Sequence, residues 1–188
     1  MSDKRVVIDA SAALKWRLRD EEATEQADAL LDNFLSDDLE LWTPTLFDYE
    51  IANALKTAVA VNRLTETDAL IAIRDFREYQ IERRNFHSIQ EAALQFALRH
   101  QRSAYDGAYL ALAQSEGLWF YTGDKRLFNA VGKALPWVKW IGDYLFARFP
   151  RVHLEVDKET GRQGIPPCFL VYLSTCLPNS PQQRSQLP

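Results

Sequence analysis

Short apolar runs alternate along this chain with longer stretches in which apolar residues recur every three or four positions. The short runs predict buried β-strands, and they lie at 5–9, 39–43, 118–122 and 137–141. The longer stretches predict helices, and they lie at 23–35, 45–62, 65–79, 88–99, 103–117 and 126–131. Because strands that alternate with helices form parallel sheets covered on both faces, the pattern predicts an α/β fold, with three layers (α/β/α) around a short parallel central sheet.

Capping signals mark the start of three of these helices. A Ser or Thr followed three residues later by an acidic residue is typical of a capping box. The three pairs are Thr65 with Asp68, Ser88 with Glu91, and Ser103 with Asp106. The last of these helices is predicted to end at Gly117, because glycine readily adopts the left-handed backbone of a C-terminal cap.

The composition changes beyond Pro150. Five of the eight prolines lie there, together with Gly, Ser and Gln and without a helical period. We therefore predict one domain at 1–148 and a poorly ordered, Pro-rich tail at 149–188. An apolar stretch at 168–177 leaves a second interpretation open, in which part of the tail packs on the domain or on a partner.

The sequence shows neither a secretion signal nor a membrane span. The chain opens without a charged segment followed by an apolar run, and no apolar stretch approaches the roughly 18 residues that cross a membrane. Its two cysteines, Cys168 and Cys176, stand at neither a zinc-ligand nor a redox spacing, so neither a disulfide framework nor a zinc site is expected. These features predict a cytoplasmic protein.

Four acidic residues fall where site chemistry is expected. Asp9 and Asp124 follow predicted strands, and ligands of open parallel sheets bind beyond the carboxyl ends of the strands. Glu50 and Asp106 fall on helical faces whose other members are mostly apolar or small, where a carboxylate needs a cation or a proton. No Lys or Arg is expected on either face, so a bound metal cation would account for both residues.

Each acid also has an ordinary interpretation. Asp9 could cap a helix, Asp106 could be the acidic N3 residue of a capping box, and Asp124 could be a turn residue. Glu50 could be an exposed helical residue. From the residues taken one at a time, these interpretations stay open.

The donor types narrow the choice of ion. Carboxylate oxygens select Mg²⁺ or Mn²⁺, whereas zinc or copper would require His or Cys nearby. The three histidines, His87, His100 and His153, are not at a ligand spacing from one another. The formal net charge of -4 does not exclude an RNA partner, because the four acids account for that excess and a bound cation would invert the local sign.

Four motifs in this order resemble those of the PIN-domain ribonucleases, and among them the VapC-type toxins of bacterial toxin–antitoxin pairs. They are VIDASAALKW at 7–16, YEIANAL at 49–55, YDGAYLALA at 105–113 and YTGDKRL at 121–127. The resemblance covers about residues 5–143 and leaves the tail outside. Gly107 and Gly123 are a mild departure, because family members commonly carry Ala or other small residues there.

The resemblance implies a metal-dependent endoribonuclease that hydrolyses RNA phosphodiester bonds with Mg²⁺ (or Mn²⁺). Its acidic quartet maps onto Asp9, Glu50, Asp106 and Asp124, which would be both the catalytic and the metal-binding residues. In detail, Asp9 and Asp106 would be the main ligands of a first ion, Glu50 would help to hold it or orient the attacking water, and Asp124 would serve a second ion or a bridging water. Supporting roles would fall to Ser11, Asn53 and Thr122.

Partners are likewise implied by the resemblance. They are an RNA substrate, a cognate antitoxin protein whose C-terminal segment would occupy or distort the acidic pocket, and a second copy of the chain in a homodimer through the helix at 65–79. No membrane partner is expected. Five basic residues lie close in sequence to the acids and could contact the RNA backbone or simply be solvated; they are Lys15, Arg17, Arg102, Lys125 and Arg126.

The main alternative is a PIN-fold RNA-binding or regulatory protein without nuclease activity. A phospho-acceptor receiver domain would place adjacent acids after its first strand, and an aspartyl phosphatase would place an acid two residues after Asp9. Ala10 and Ser11 stand at those positions, so both patterns fail.

Overall fold

A five-stranded parallel sheet forms the centre of the computed structural model, which describes residues 4–144. Its strands are β1 (Arg5–Ile8), β2 (Glu40–Pro44), β3 (Glu82–Arg84), β4 (Trp119–Thr122) and β5 (Val138–Trp140). Their order across the sheet is β3-β2-β1-β4-β5, and every neighbouring pair is parallel. The chain adds β2 and β3 on one side of the central β1 and then crosses from β3 to add β4 and β5 on the other side, which creates the switch point at which such sheets bind ligands.

Within residues 4–144, seven α-helices cover the two faces of this sheet. They are α1 (Ala10–Leu14), α2 (Thr24–Leu35), α3 (Phe47–Ala60), α4 (Glu66–Glu78), α5 (Gln90–His100), α6 (Ala104–Glu116) and α7 (Lys125–Val131). Short 3₁₀ helices lie at Phe86–Ile89 and Ile141–Asp143. The arrangement confirms the predicted three-layer α/β/α fold.

Alternation along β1 divides the core into two halves. Val6 and Ile8 point to the side packed by α1, α2, α3 and α4, whereas Val7 points to the side packed by α5, α6 and α7. All three side chains are buried, as expected for the central strand of a sheet covered on both faces. This burial on both sides explains why β1 is an uninterrupted apolar run.

Four predicted strands are confirmed within a residue or two, and one strand was missed. The missed strand is β3, whose three residues are all charged and which lies at the edge of the sheet, where apolar burial is not required. The expected capping box at Ser88 is wrong: the side chain of Asn85 caps the preceding 3₁₀ helix, and α5 starts without a side-chain cap. The box at Ser103 and the left-handed cap at Gly117 are confirmed. At Thr65 the side chain caps α4 by accepting from the Asp68 amide, which is half of the expected box.

Gly107 allows α6 to lie directly against α5. A Cβ atom at this position would come within 2.2 Å of the carbonyl oxygen of Ala93, which is closer than real side chains approach. At Gly123 a Cβ would lie 2.4 Å from the carbonyl oxygen of Ser11. The two glycines that depart from the family pattern are therefore required by close backbone contacts in this chain.

Across residues 4–144, no helix is long and apolar enough to cross a membrane. The proposed tail at 149–188 and its two cysteines lie outside the described residues, and so does the boundary predicted at 148.

Candidate active site

Asp9 is the buried acid of the site. It follows β1 and caps α1, and only 6% of its surface is exposed. One carboxylate oxygen accepts hydrogen bonds from Ser11 Oγ at 2.7 Å, from the Ala12 amide at 2.8 Å and from the Gly123 amide at 3.3 Å, and the other accepts from Thr122 Oγ1. Within the described part of the chain, no basic side chain lies within ion-pair distance of it.

Burial makes the charge of Asp9 costly. The pKa of its carboxyl group is raised above the ordinary value by burial, and the four hydrogen bonds that it accepts oppose this rise. Because these donors satisfy the oxygens without neutralising the charge, the carboxylate keeps an uncompensated charge in a poorly solvated position. A cation bound beside it would relieve that cost.

Glu50 lies in the first turn of α3, near the same edge of the sheet. The phenol of Tyr109 donates a hydrogen bond to its Oε2 atom. Burial raises the pKa of Glu50 to about 7; the Tyr109 hydrogen bond opposes the rise, and the charges of Asp9 and Asp106 add to it. Glu50 is therefore close enough to both acids to feel their charge, and its proton is exchangeable near neutral pH.

Tyr109 holds Glu50 in place from within the core. It lies one turn after Asp106 on α6, is 2% exposed, and stacks on Phe120 of β4 with 5.8 Å between the ring centroids. The packed ring fixes the hydroxyl and, through it, the Glu50 carboxylate. The motif at 105–113 contained this residue, but nothing in its sequence position indicated a contact with α3.

Arg102 joins the other two acids. Its guanidinium lies 3.2 Å from Asp106 and 3.5 Å from Asp124, measured between the nearest nitrogen and oxygen atoms. Asp106 also closes the capping box of α6 with Ser103, and Asp124 caps α7 by accepting from the Arg126 amide at 2.7 Å. The expectation that no basic residue would face Asp106 is therefore wrong, because Arg102 stands four residues earlier and turns back toward it.

Thr122 connects the two pairs of acids. Its hydroxyl donates to Asp9 and accepts from the Asp124 amide at 3.0 Å. The parallel register of Ile8 with Tyr121 brings these strand ends side by side. Ser11 likewise contacts Asp9, whereas Asn53 is exposed and lies beside Glu50. In this conformation, no three His, Cys, Asp or Glu side chains within residues 4–144 are close enough together to hold a metal ion.

Most of the basic residues named above have internal partners. Lys15 is buried and bonds Glu21 at 3.3 Å, Arg17 pairs with Asp75, and Lys125 pairs with Glu22. Arg126 is exposed. Direct contact of Lys15 or Arg17 with an RNA backbone would therefore require breaking an existing ion pair.

Comparisons with known proteins show the family of this chain. A family model described as PIN domain matches residues 6–134, which include all four acids. Ribonuclease VapC1 of Mycobacterium tuberculosis is 37% identical over 89 residues, which are 47% of this chain and just under two thirds (66%) of that protein. Ribonuclease VapC12 of the same organism is 30% identical over 127 residues, or 68% of this chain and 92% of that protein.

A solved structure shows the same fold. PAE2754 from Pyrobaculum aerophilum superimposes with a TM-score of 0.52 at 22% identity, covering 67% of this chain and 78% of that one. At this identity the likeness concerns the arrangement of helices and strands alone.

Proposed function

Because this chain belongs to the PIN-domain family, we propose that it is a metal-dependent endoribonuclease that hydrolyses RNA phosphodiester bonds, and that it is the toxin of a toxin–antitoxin pair. The ribonuclease names of its relatives support the proposal. The observation that carries it is the gathering of four carboxylates at the carboxyl edge of the sheet, with Asp9 buried and lacking a cation partner among residues 4–144.

The donor set fits Mg²⁺ or Mn²⁺. Asp9, Glu50, Asp106 and Asp124 offer only oxygen atoms, which these hard cations prefer. Burial raises the pKa values of two of the four, Asp9 and Glu50. Asp9 and Asp106 would be the main ligands, joined by Glu50 and, after release from Arg102, by Asp124. Because no three of the described acids are close enough to hold an ion in this conformation, these side chains would have to move toward one another to bind it.

A bound divalent ion would act as a Lewis acid that stabilises the charge developing on the scissile phosphate. The chain's own residues would do the rest. Glu50, as a carboxylate, would orient the attacking water and accept its proton, and Tyr109 would hold that carboxylate in place. Ser11 and Thr122 would keep the Asp9 oxygens oriented, and Asn53 would support the site beside Glu50.

The proposal is tested by incubating the full chain with labelled structured RNAs in Mg²⁺, in Mn²⁺ or in EDTA. We expect endonucleolytic products with either ion and none in EDTA, with activity restored when excess ion is added back. Cleavage that persists unchanged in EDTA would contradict the metal dependence. Binding of RNA without cleavage under any of these conditions would instead favour the alternative, a non-catalytic RNA-binding or regulatory protein.

Arg102 should compete with the ion for two of its ligands. Replacing Arg102 with glutamine is expected to tighten Mn²⁺ binding about fivefold, which corresponds to the roughly 1 kcal/mol of a partly exposed ion pair. The metal-free protein should lose stability of similar size, because Asp106 and Asp124 then repel each other. Calorimetric titration with Mn²⁺ and thermal unfolding measure both effects.

Arg126→Gln is the matched control, because the Arg126 side chain is exposed and stands two residues after Asp124. Weaker or unchanged ion binding in Arg102→Gln, with Arg126→Gln equal to wild type, would show that the arginine does not occupy the position of the ion.

The partner proposals rest on family membership. An antitoxin that covers the acidic edge would block the RNA, and a homodimer would form through α4, where Leu70 and Ile71 are exposed. Since RNA is the proposed substrate, we also propose that the protein acts in the cytoplasm.

A further inference from the structure

Two exposed tyrosines each stand next to one of the acids in the sequence. Tyr49 immediately precedes Glu50 and is 82% exposed, and Tyr105 immediately precedes Asp106 and is 65% exposed. Both line a cleft of about 490 Å³, together with Leu46, Asn53 and Glu50. Glu50, which interacts with the charges of Asp9 and Asp106, therefore forms part of the wall of the cleft that the two tyrosine rings border.

The exposure of these rings sets them apart from the other tyrosines in residues 4–144. Tyr79 and Tyr109 pack against aromatic rings in the core, and Tyr121 and Tyr144 pack edge to face with a centroid distance of 5.2 Å. Tyr49 and Tyr105 make no such ring contact within the described residues. A large apolar surface left open beside a polar site is typical of ligand contact rather than of packing.

We propose that Tyr49 and Tyr105 form a stacking platform for an unpaired base of the RNA next to the scissile phosphate. This inference rests on the proposed function and narrows the substrate to single-stranded or loop nucleotides. Stacking on aromatic rings accepts every base, because each base has a π-face. The Asn53 amide, which can donate and accept, borders the same cleft and can bond a base edge.

Charge favours a base over the RNA backbone as the occupant. The acids repel phosphates until a cation binds, and Lys15, Arg17 and Lys125 are held in internal ion pairs. Affinity for RNA that does not come from cationic side chains must come from uncharged contacts. Uncharged aromatic surface directly beside Glu50 supplies it without competing for the acids.

The test separates ring stacking from apolar bulk. Tyr49→Phe and Tyr105→Phe keep the aromatic ring. Tyr49→Leu and Tyr105→Leu remove the ring but keep an apolar side chain. Binding of a fluorescein-labelled single-stranded RNA is measured by anisotropy in Ca²⁺, another hard oxygen-binding cation, and KM and kcat are measured in Mn²⁺. Leu98→Ala, an exposed apolar residue on α5 (72% exposed), is the control.

We expect each leucine variant to weaken RNA binding and raise KM by roughly tenfold, with kcat changed far less, and the phenylalanine variants and Leu98→Ala to match wild type. An abasic nucleotide beside the mapped cleavage site should produce the same loss in wild type and little further loss in the leucine variants.

The outcomes distinguish this inference from the function on which it rests. Wild-type cleavage with unchanged binding in both leucine variants overturns the stacking platform and leaves the nuclease proposal intact; a cleft that serves a protein partner would give this result. Ring-dependent RNA binding without cleavage would support the platform and overturn the nuclease. A wild-type protein that neither binds nor cleaves RNA overturns both.

Discussion

Replacement of Asp9 with asparagine is expected to reduce RNA cleavage by about a thousandfold or more while leaving the protein folded. The change removes the charge of the proposed main metal ligand. It retains an oxygen to accept from Ser11 and the Ala12 amide, and its new NH₂ group can donate to the Thr122 hydroxyl. Single-turnover cleavage of a labelled RNA in saturating Mn²⁺ measures the effect.

Thermal unfolding of the same variant supplies an independent readout. Burial raises the pKa of Asp9, so its charged form costs folding free energy at pH 7, and a neutral side chain should leave the metal-free protein at least as stable as wild type. Mn²⁺ should raise the midpoint of wild type but not that of Asp9→Asn. Residual cleavage above a tenth of wild type would contradict the assignment of Asp9 as a ligand.

Asp37→Asn is the matched control for this substitution. Asp37 is exposed and has a left-handed backbone (φ 59°), which asparagine accepts. It lies in the loop before β2, away from the carboxyl ends of the strands. The control should cleave RNA like wild type, so that a loss in Asp9→Asn reflects the position of the charge rather than its removal.

The fold was predictable because burial dictates its pattern. Val6, Val7 and Ile8 form an apolar run since the central strand is covered on both faces, and the helices carry their own start signals. The charged edge strand β3 follows neither rule. Its place depends on backbone hydrogen bonds to β2, which do not require particular side chains.

The ordinary interpretations of Asp9, Asp106 and Asp124 are confirmed, and the functional interpretation of the four acids stays a proposal. Asp9 and Asp124 cap α1 and α7, Asp106 closes the capping box of α6, and Glu50 lies in the first turn of α3. In a parallel α/β sheet the helices return antiparallel to the strands, so helix starts collect at the carboxyl edge. Helix-capping preference and site formation therefore select acids at the same positions.

The partners of the acids were not predictable in the same way. Arg102 follows the left-handed cap of α5 at Gln101 and reaches acids from α6 and from the start of α7. Tyr109 reaches across from α6 to α3. These contacts depend on how helices are placed against each other and on side-chain rotamers, which the spacing of residues in a sequence does not specify.

The apparent affinity for Mn²⁺ is expected to fall about tenfold for each pH unit below 7. An ion requires Glu50 as a carboxylate, and its pKa is about 7 in the metal-free protein, so protons and the ion compete below that value. Calorimetric titrations at pH 5.5, 6.5 and 7.5 measure the slope, and a pH-independent affinity would contradict the ligand role of Glu50.

Stability without the ion should change in the opposite direction. The folded-state pKa of Glu50 is about 7 against 4.5 for an exposed glutamate, so the folded protein binds the extra proton between these values. Its free energy of unfolding therefore rises as pH falls from above 7 toward 4.5. Partial exposure reduces the effect to about 1 to 2 kcal/mol.

Glu50→Gln separates the two effects, because it abolishes this titration and removes a ligand. The variant should be more stable than wild type at pH 8 without the ion, bind Mn²⁺ weakly, and lose most of the pH dependence of both quantities. Glu78→Gln, a change at an exposed glutamate near the end of α4, should match wild type throughout. If Glu50→Gln kept the full pH dependence, Glu50 would not be the titrating group, and its proposed role as proton acceptor would be contradicted.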